Sequence, residues 1–285
     1  MKRLIVADKV VKPGVSLELT DEKSHYLAKV LRCRAGELIL VGDGQGSFFK
    51  GEVLESGAAL VRVHVGEQIK IVWEEDVEIH LIQSLPKGNK LERIVRASTE
   101  LGVTAIHPVV TKRSIPRLDA RKRQDKVGRM RRITEQAARQ CGRPNLPTLH
   151  EIGELEEALE SFGNDDDTLR LLFWEAEPKR SLFAALNSIE APIKKAVLCV
   201  GPEGGWATDE IELAREYGFD SIFFGHGILR VETAAVGFLS IIKFYLNMRE
   251  YGFDSIFFGH GILRVETAAV GFLSIIKFYL NMTGH

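Results

Sequence analysis

Cysteine is scarce in this sequence, and long apolar runs are missing from it. Three cysteines occur among 285 residues, and none belongs to a CxxC pair. This odd number predicts reduced thiols in the cytoplasm and argues against a disulfide framework or a zinc site. The longest apolar stretch, from Ala234 to Leu246, is interrupted by Lys243 and falls short of the roughly 18 residues that a membrane span needs. We therefore expect no membrane segment, no metal and, from the short apolar start MKRLIVADKV, no signal peptide.

Several familiar catalytic and nucleotide-binding motifs are also missing. The sequence has no GxSxG nucleophile elbow, no HExxH zinc motif, no GxGxxG fingerprint and no Walker lysine. The loop GDGQGS, from Gly42 to Ser47, looks like a phosphate loop but has strand-like runs on both sides. A phosphate loop would open a helix, so a hairpin turn is the better interpretation.

One segment of 34 residues occurs twice. Residues 215–248 and 249–282 are identical, letter for letter. Repeat proteins have periods of this size, but they need at least three units, and their copies diverge. Two identical copies indicate either a very recent duplication or an error in the sequence. Without the second copy, 251 of the 285 residues remain.

The order of predicted elements divides the rest of the chain in two. Residues 1–72 predict a small β-barrel, with short β-branched runs, glycine-containing turns and one short helix at DEKSHYLAKVLR. After an acidic joint, strands alternate with helices over residues 73–248, which is typical of a mostly parallel sheet covered on both faces. The chain is therefore predicted to have an α/β fold preceded by a barrel, and the copy at 249–282 has no assigned role.

Charge is strongly segregated, although the formal net charge is only −1. From Lys112 to Arg143 there are 12 basic and 3 acidic residues, whereas His150 to Thr168 holds 8 acidic residues and no lysine or arginine. A concentrated basic stretch suits contacts with nucleic-acid phosphates, with a solvated helix face as the plainer alternative. We expect the basic stretch to bind nucleic acid.

The strongest local signal is the loop VGPEGG, which follows an apolar strand and precedes a helix. Its glycines let the main chain approach a ligand closely. We expect Thr208 to be the N-cap of the helix, with two acidic residues in the first turn. Those acids disfavour phosphate and favour a neutral or cationic ligand. A tight strand-to-helix turn without a ligand is the alternative.

Two further segments lie where predicted strands end. GILRVETAA, at residues 227–235, joins the last strand to the last helix, and a capped helix start with a local ion pair is its plainer interpretation. LPKGNK, at residues 85–90, follows the first strand of the α/β part. Ligands of open α/β sheets bind outside the carboxyl ends of the strands. Lys87 and Lys90 would therefore meet anions, unless they are solvated residues of a Pro-Gly turn.

Taken together, these segments resemble a known family. The chain is similar to the bacterial 16S ribosomal RNA uridine-N3 methyltransferases (RsmE type) of the SPOUT superfamily, in the order HYLAKVLR, QSLPKGNKLERIVRASTELGV, TKRSIPR, ITEQAARQCGRPNLP, VGPEGG and ILRVETAA. The resemblance covers residues 1–248. It implies a PUA-like RNA-binding barrel, then an α/β SPOUT domain with a deep trefoil knot. It also implies a homodimer with each active site near the subunit interface.

The resemblance implies S-adenosylmethionine as the cofactor, held in the knot largely by main-chain groups. The implied cofactor-binding residues are Val200, Gly201, Pro202, Glu203, Gly204, Gly205, Ile228, Leu229, Arg230, Val231, Thr233 and Ala234. A cationic sulfonium agrees with the acids beside the glycine loop. Gly201 lies 29 residues before Arg230 but 63 before Arg264 of the second copy, so we expect the first copy to form the site.

The implied reaction is methylation of N3 of a specific uridine in 16S ribosomal RNA, free or in the assembled small subunit. N3 carries a weakly acidic proton, so a catalyst should help to remove it and must align N3 with the methyl group. Candidate catalytic residues are Arg113, Arg139 and Glu135, with Glu100 as another candidate base. Candidate RNA contacts are Lys23, His25, Arg32, Lys87, Lys90, Arg117 and Arg143. Ordinary surface ion pairs are the alternative for each, and ribose 2′-O methylation or a non-catalytic assembly factor are the alternative functions.

Overall fold

The computed structural model describes residues 1–70, 77–115, 118–177, 180–189, 191–223, 229–251 and 265–283. Contacts group the chain into two units, Met1–Glu74 with Ala138–Leu146, and Glu75–Ala137 with Pro147–His285. The segment Ala138–Leu146 thus joins the first unit, which a boundary drawn at residue 72 does not anticipate. Across these ranges, none of the helices has both the length and the apolar character that a membrane crossing requires.

The first unit is built on a five-stranded sheet in the order β1–β3–β4–β5–β2. Its strands are β1 (Arg3–Ile5), β2 (Ser16–Leu19), β3 (Leu38–Gly42), β4 (Phe48–Ser56) and β5 (Val61–Ile69). The pair β1–β3 is parallel, and the other pairs are antiparallel. Alternate residues of β5, namely Val61, Val63 and Val65, are buried, because side chains of a strand point to opposite faces in turn.

The loop GDGQGS connects β3 to β4 as a hairpin, as predicted. Asp43 Oδ1 accepts hydrogen bonds from the N–H groups of Gln45, at 2.7 Å, and Ser47, at 3.0 Å. An aspartate that bonds to its own turn in this way closes the loop without a ligand. The helix predicted after β2 is divided into α1 (Asp21–His25) and a π-helical turn at Tyr26–Val30.

The second unit contains a sheet in the order β12–β10–β11–β6–β7–β8, with β9 also paired to β7. Its strands are β6 (Glu78–Ser84), β7 (Ala105–Val110), β8 (Thr148–Leu149), β9 (Gly153–Glu154), β10 (Thr168–Phe173), β11 (Lys195–Val200) and β12 (Asp220–Ile222). Every one of these pairs is parallel. Leu198 packs in one core, and Val197 and Cys199 pack in another. The predicted parallel sheet with two covered faces is therefore confirmed.

Helices cover both faces of this sheet. They are α2 (Lys90–Glu100), α3 (Ala120–Cys141), α4 (Leu155–Glu160), α5 (Leu182–Asn187), α6 (Thr208–Glu216), α7 (Val231–Tyr251) and α8 (Val265–Thr283). Residues of α2, α5 and α7 belong to one core, and residues of α4 and α6 belong to the other. The trefoil knot implied by the resemblance stays a prediction, since residues 224–228 of that region lie outside the described ranges.

The two copies of the duplicated segment have different surroundings. In α7, Ile241 and Ile242 are completely buried in the core of the second unit. In α8, Ile275 is buried but Ile276 is 53% exposed. Identical sequences therefore form two helices: α7 is buried in the core, whereas α8 contributes Ile275 to the same core and exposes Ile276.

Candidate active site

A cavity of about 310 Å³ lies in the second unit, at the carboxyl ends of β10, β11 and β12. Open α/β sheets bind ligands at this edge, and the volume lies within the range of small-molecule sites. The residues that line it are Lys90, Phe173, Trp174, Glu175, Val200, Gly201, Pro202, Glu203, Gly205, Trp206, Ile222, Leu229, Arg230, Val231, Ala234 and Phe238.

The lining includes nine of the twelve residues predicted to bind the cofactor. Gly204 and Thr233 stand outside the lining, and Ile228 lies outside the described residues. The lining residues that belong to the duplicated segment all come from its first copy. No described residue of the second copy lines the cavity. The loop after β11 and the start of α7 therefore meet at one cavity, although about 30 residues separate them.

Close packing explains the glycines of the loop. Gly205 has φ +67°, a conformation that favours glycine, and a Cβ there would overlap Glu175 Oε1. A Cβ on Gly201 would lie 3.1 Å from Trp206 Nε1. The indole of Trp206 is 2% exposed and donates its N–H to Phe173 O at 2.9 Å. The tryptophan thus ties the loop to the end of β10, while Gly201 makes room for its indole and Gly205 makes room for the Glu175 carboxylate.

Residues at and just before the N-terminus of α2 bind the carboxylate of Glu203. Lys90 Nζ donates to Glu203 Oε1 at 2.7 Å, and the backbone N–H of Lys87 lies 3.2 Å from both carboxylate oxygens. Burial alone would raise the pKa of Glu203, but the hydrogen bonds from Lys90 and the backbone lower it overall. The sequence predicted that Lys87 and Lys90 bind RNA. In the structure, the Lys90 ammonium and the Lys87 backbone N–H instead bind Glu203 of the glycine loop.

The loop after β7 makes a second clamp. Arg113 donates from one guanidinium nitrogen to Gly204 O at 2.9 Å. The carboxylate of Glu210 accepts from the N–H groups of Lys112, at 2.7 Å, and Ala207, at 2.8 Å. The predicted N-cap, Thr208, is wrong, because α6 begins at Thr208 and Ala207 is its N-cap. Glu210, the third residue of α6, accepts the Ala207 N–H, as the glutamate of a capping box does.

A carboxylate oxygen beside the cavity has no donor among the residues with described positions. Glu232 Oε2 is buried without a hydrogen bond there, and Lys90 Nζ lies 4.0 Å away. A buried carboxylate oxygen without a partner costs free energy. The Lys90 ammonium lies at ion-pair distance, which offsets part of this cost.

The predicted catalytic residues have separate placements. Arg113 adjoins the glycine loop. Glu135 is half-buried on the part of α3 that belongs to the second unit. Arg139 belongs to the first unit, where its guanidinium lies 4.4 Å from the centre of the Tyr26 ring, a cation–π contact.

The predicted RNA contacts of the first unit differ in exposure. Lys23 pairs with Asp8 at 2.7 Å, and His25 is exposed. Arg32 has φ +51°, which is rare outside glycine, and lines a separate cavity of about 430 Å³ with Lys29 and Arg34. Arg143 is buried, and Arg117 lies outside the described residues.

The sequence did not reveal a histidine cluster on the sheet. His80 Nδ1 lies 3.2 Å from His107 Nε2, and the rings of His107 and His150 stack at 3.9 Å. Burial, with the nearby His150 and His80, lowers the pKa of His107 to about 3. Both His80 and His107 pack edge-on against Phe162. His80 lies on β6 and His107 lies on the neighbouring strand β7. The order of the strands in the sheet is needed to predict this contact, and the sequence does not provide it.

Comparison with known proteins identifies the class. The family model described as an RNA methyltransferase domain matches residues 73–243, and the model of the RNA methyltransferase PUA domain matches residues 19–65. The chain therefore belongs to the RNA methyltransferase family. Within that family it is of the ribosomal RNA small subunit methyltransferase E type, as the relatives with that name show.

Two such relatives and one solved structure illustrate the match. The protein from Synechocystis is 34% identical over 235 residues, which are 81% of this chain and 74% of that protein. The protein from Bacillus subtilis is 28% identical over 237 residues, covering 82% and 92%. The crystal structure of ribosomal RNA small subunit methyltransferase E from Neisseria gonorrhoeae, bound to S-adenosyl methionine, has a TM-score of 0.74. It is 28% identical, and the match covers 85% of this chain and 97% of that one. The predicted fold class, an α/β methyltransferase domain preceded by a PUA-like domain, is confirmed, and the knot stays a prediction.

Proposed function

We propose that this protein transfers a methyl group from S-adenosylmethionine to N3 of a specific uridine in 16S ribosomal RNA. The observation that carries the proposal is that residues of VGPEGG and of the first copy of ILRVETAA line one cavity. Relatives named for ribosomal RNA methylation and a similar structure bound to S-adenosyl methionine support it.

The residues around the cavity fit this cofactor. Phe173, Val200 and Ile222 provide an apolar wall for an adenine ring, and Phe173 stacks on Phe238 at 3.5 Å. Main-chain groups of the glycine loop provide hydrogen-bonding partners at close range. Glu175, which lines the cavity, is suited to ribose hydroxyls or to a cationic group. When bound, S-adenosylmethionine supplies an activated methyl group.

The chain itself has to hold the uridine and manage its proton. Arg113 lies at the glycine loop and uses one guanidinium nitrogen to bond Gly204 O. A guanidinium has five N–H donors, so Arg113 can also bind a phosphate or the O2 or O4 atom of a uracil that loses its N3 proton. Arg139 and Glu135 remain proposed contributors. The target base has to leave its stack to reach such a pocket.

The proposed substrate is 16S ribosomal RNA, free or in the small subunit. The basic stretch from Lys112 to Arg143 and the residues Lys23, His25 and Arg32 of the barrel would bind its phosphates. The methyl transfer would take place in the cytoplasm. The resemblance also implies a homodimer, which remains part of the proposal.

The test is identification of the product. Small subunits from cells lacking this protein are incubated with the purified protein and with S-adenosylmethionine carrying a deuterated methyl group. The RNA is then digested to nucleosides for mass spectrometry. We expect deuterated 3-methyluridine. Deuterium on a ribose 2′-oxygen would show the other type of methylation, and cofactor binding without any labelled nucleoside would favour an assembly factor.

A further inference from the structure

The turn after β10 ends in a buried glutamate. Glu177 is 7% exposed, whereas Glu175, two positions earlier, is exposed and lines the cavity. The backbone N–H of Glu177 donates to Trp174 O at 3.2 Å and closes the turn. The N–H of Trp174 donates to Ile222 O of β12 at 3.0 Å. The main chain of β12 therefore holds the start of the turn, and the side chain of Glu177 holds its end.

Two side chains bind the Glu177 carboxylate. Ser221 Oγ of β12 donates a hydrogen bond to Oε2, and Arg215, in the last turn of α6, donates to the same oxygen at 3.0 Å. The Arg215 guanidinium also donates to Ser221 Oγ at 2.7 Å. Each of the three side chains thus contacts both of the others, and together they join α6, β12 and the turn.

The burial of this carboxylate points to a role in orientation. A buried ion pair costs desolvation, and an apolar side chain of similar size often stabilises a protein as much or more. Hydrogen bonds between charged groups add geometric specificity, which an apolar contact does not. Glu175 is the residue that a fixed turn would position, because its Oε1 lies against Gly205, where a Cβ would overlap it.

We infer that Glu177, Ser221 and Arg215 are positioning residues, which hold the turn so that the Glu175 carboxylate accepts hydrogen bonds from the cofactor. None of these three described residues lines the cavity, so they act through Glu175. The inference rests on the proposed binding of S-adenosylmethionine in this cavity. If the unmodified protein does not bind S-adenosylmethionine, the proposed function fails and the inference fails with it. If it binds and the variants bind equally well, the inference alone is wrong.

A double-mutant cycle separates positioning from general stability. E177Q keeps the size of the side chain but removes the charge that Arg215 and Ser221 bind, and E175A removes the carboxylate that the turn positions. Affinity for S-adenosylmethionine is measured by calorimetry, and folding is checked by urea unfolding. We expect E177Q to weaken the affinity roughly tenfold and to have little further effect in E175A, because residues that act together are not additive. Equal losses from E177Q in both backgrounds would overturn the inference.

The duplication supplies a matched control for Ser221. Its counterpart in the second copy is Ser255, which lies outside the described residues. S221A removes the hydroxyl that donates to Glu177 and changes the chain less than E177Q does. We expect S221A to weaken the binding of S-adenosylmethionine severalfold and S255A to keep the unmodified affinity. If folded S221A keeps that affinity as well, or if S255A is the weaker binder, these residues do not position Glu175.

Discussion

Trp206 donates its indole N–H to the carbonyl oxygen of Phe173, 2.9 Å away. The bond connects the glycine loop after β11 to the end of the neighbouring strand β10, and both residues line the cavity. Since Trp206 is almost completely buried, water cannot easily replace the donor. The position of the loop therefore depends in part on a side chain that stands outside the VGPEGG motif.

Replacing Trp206 by phenylalanine should weaken both the fold and the cofactor site. The Phe173 carbonyl would lose its partner, which costs about 1–3 kcal/mol for a buried group. We expect a loss of this size in the free energy of unfolding, measured with urea, and weaker binding of S-adenosylmethionine in calorimetry. W174F is the matched control for stability, because Trp174 is only half-buried, and it should lower the unfolding free energy less than W206F does. If W206F and W174F lost the same free energy of unfolding, the hydrogen bond of Trp206 would not have the role described.

The duplication offers a matched test of which copy forms the cofactor site. Ala234 lines the cavity, whereas its counterpart Ala268 in α8 does not. A leucine at 234 fills part of a cavity of about 310 Å³ and should reduce the affinity for S-adenosylmethionine at least tenfold, which is about 1.4 kcal/mol. A268L makes the same chemical change elsewhere and should leave the affinity unchanged. The reverse pattern would assign the site to the second copy.

Local patterns in the sequence were enough to locate the cavity but not the contacts that shape it. VGPEGG stands between an apolar strand and a helix, so its place at the carboxyl end of a strand could be predicted. The contact of Glu203 with Lys90 joins residues 113 positions apart and depends on β6 lying next to β11 in the sheet. The bond from the Lys112 N–H to Glu210 could not be predicted for the same reason, since it joins residues 98 positions apart.

The clamp on Glu203 distinguishes two neighbouring lysines. K90M removes the ammonium that bonds the carboxylate at 2.7 Å, whereas K87M keeps the backbone N–H that Lys87 contributes. A hydrogen bond to a charged group is worth about 1.5–3 kcal/mol, less here because both side chains are partly exposed. We expect K90M to weaken cofactor binding roughly tenfold, with K87M close to the unmodified protein. If K87M weakens binding as much, the clamp is not what positions the loop.

The same contact has a pH dependence of known sign. Because the pKa of Glu203 is lowered in the folded protein, its contribution to stability is complete above the ordinary carboxyl pKa of about 4.3. It is lost as the pH falls through the lower, folded value. Cofactor binding of the unmodified protein should therefore not change between pH 8 and pH 6 on account of Glu203, and calorimetry at these two values checks this.

The histidine cluster predicts that the protein loses stability in mild acid. His107 has a pKa of about 3 in the folded protein, because burial and then the neighbouring His150 and His80 oppose its charge. An unfolded histidine has a pKa of about 6.5, so between these values the unfolded chain binds a proton that the folded chain does not. The free energy of unfolding should fall as the pH drops below 6.5, by up to about 1.4 kcal/mol per pH unit from this group, and stay level above it.

Replacement of His107 by glutamine isolates this effect. H107Q removes the group that titrates, so urea unfolding at pH 7.5, 6.0 and 5.0 should show a shallower decline than in the unmodified protein. The variant should be less stable at pH 7.5, because it loses the stacking on His150 at 3.9 Å. H25Q removes an exposed histidine outside the cluster and should keep the steeper decline. An unchanged slope in H107Q would mean that another group causes the loss in acid.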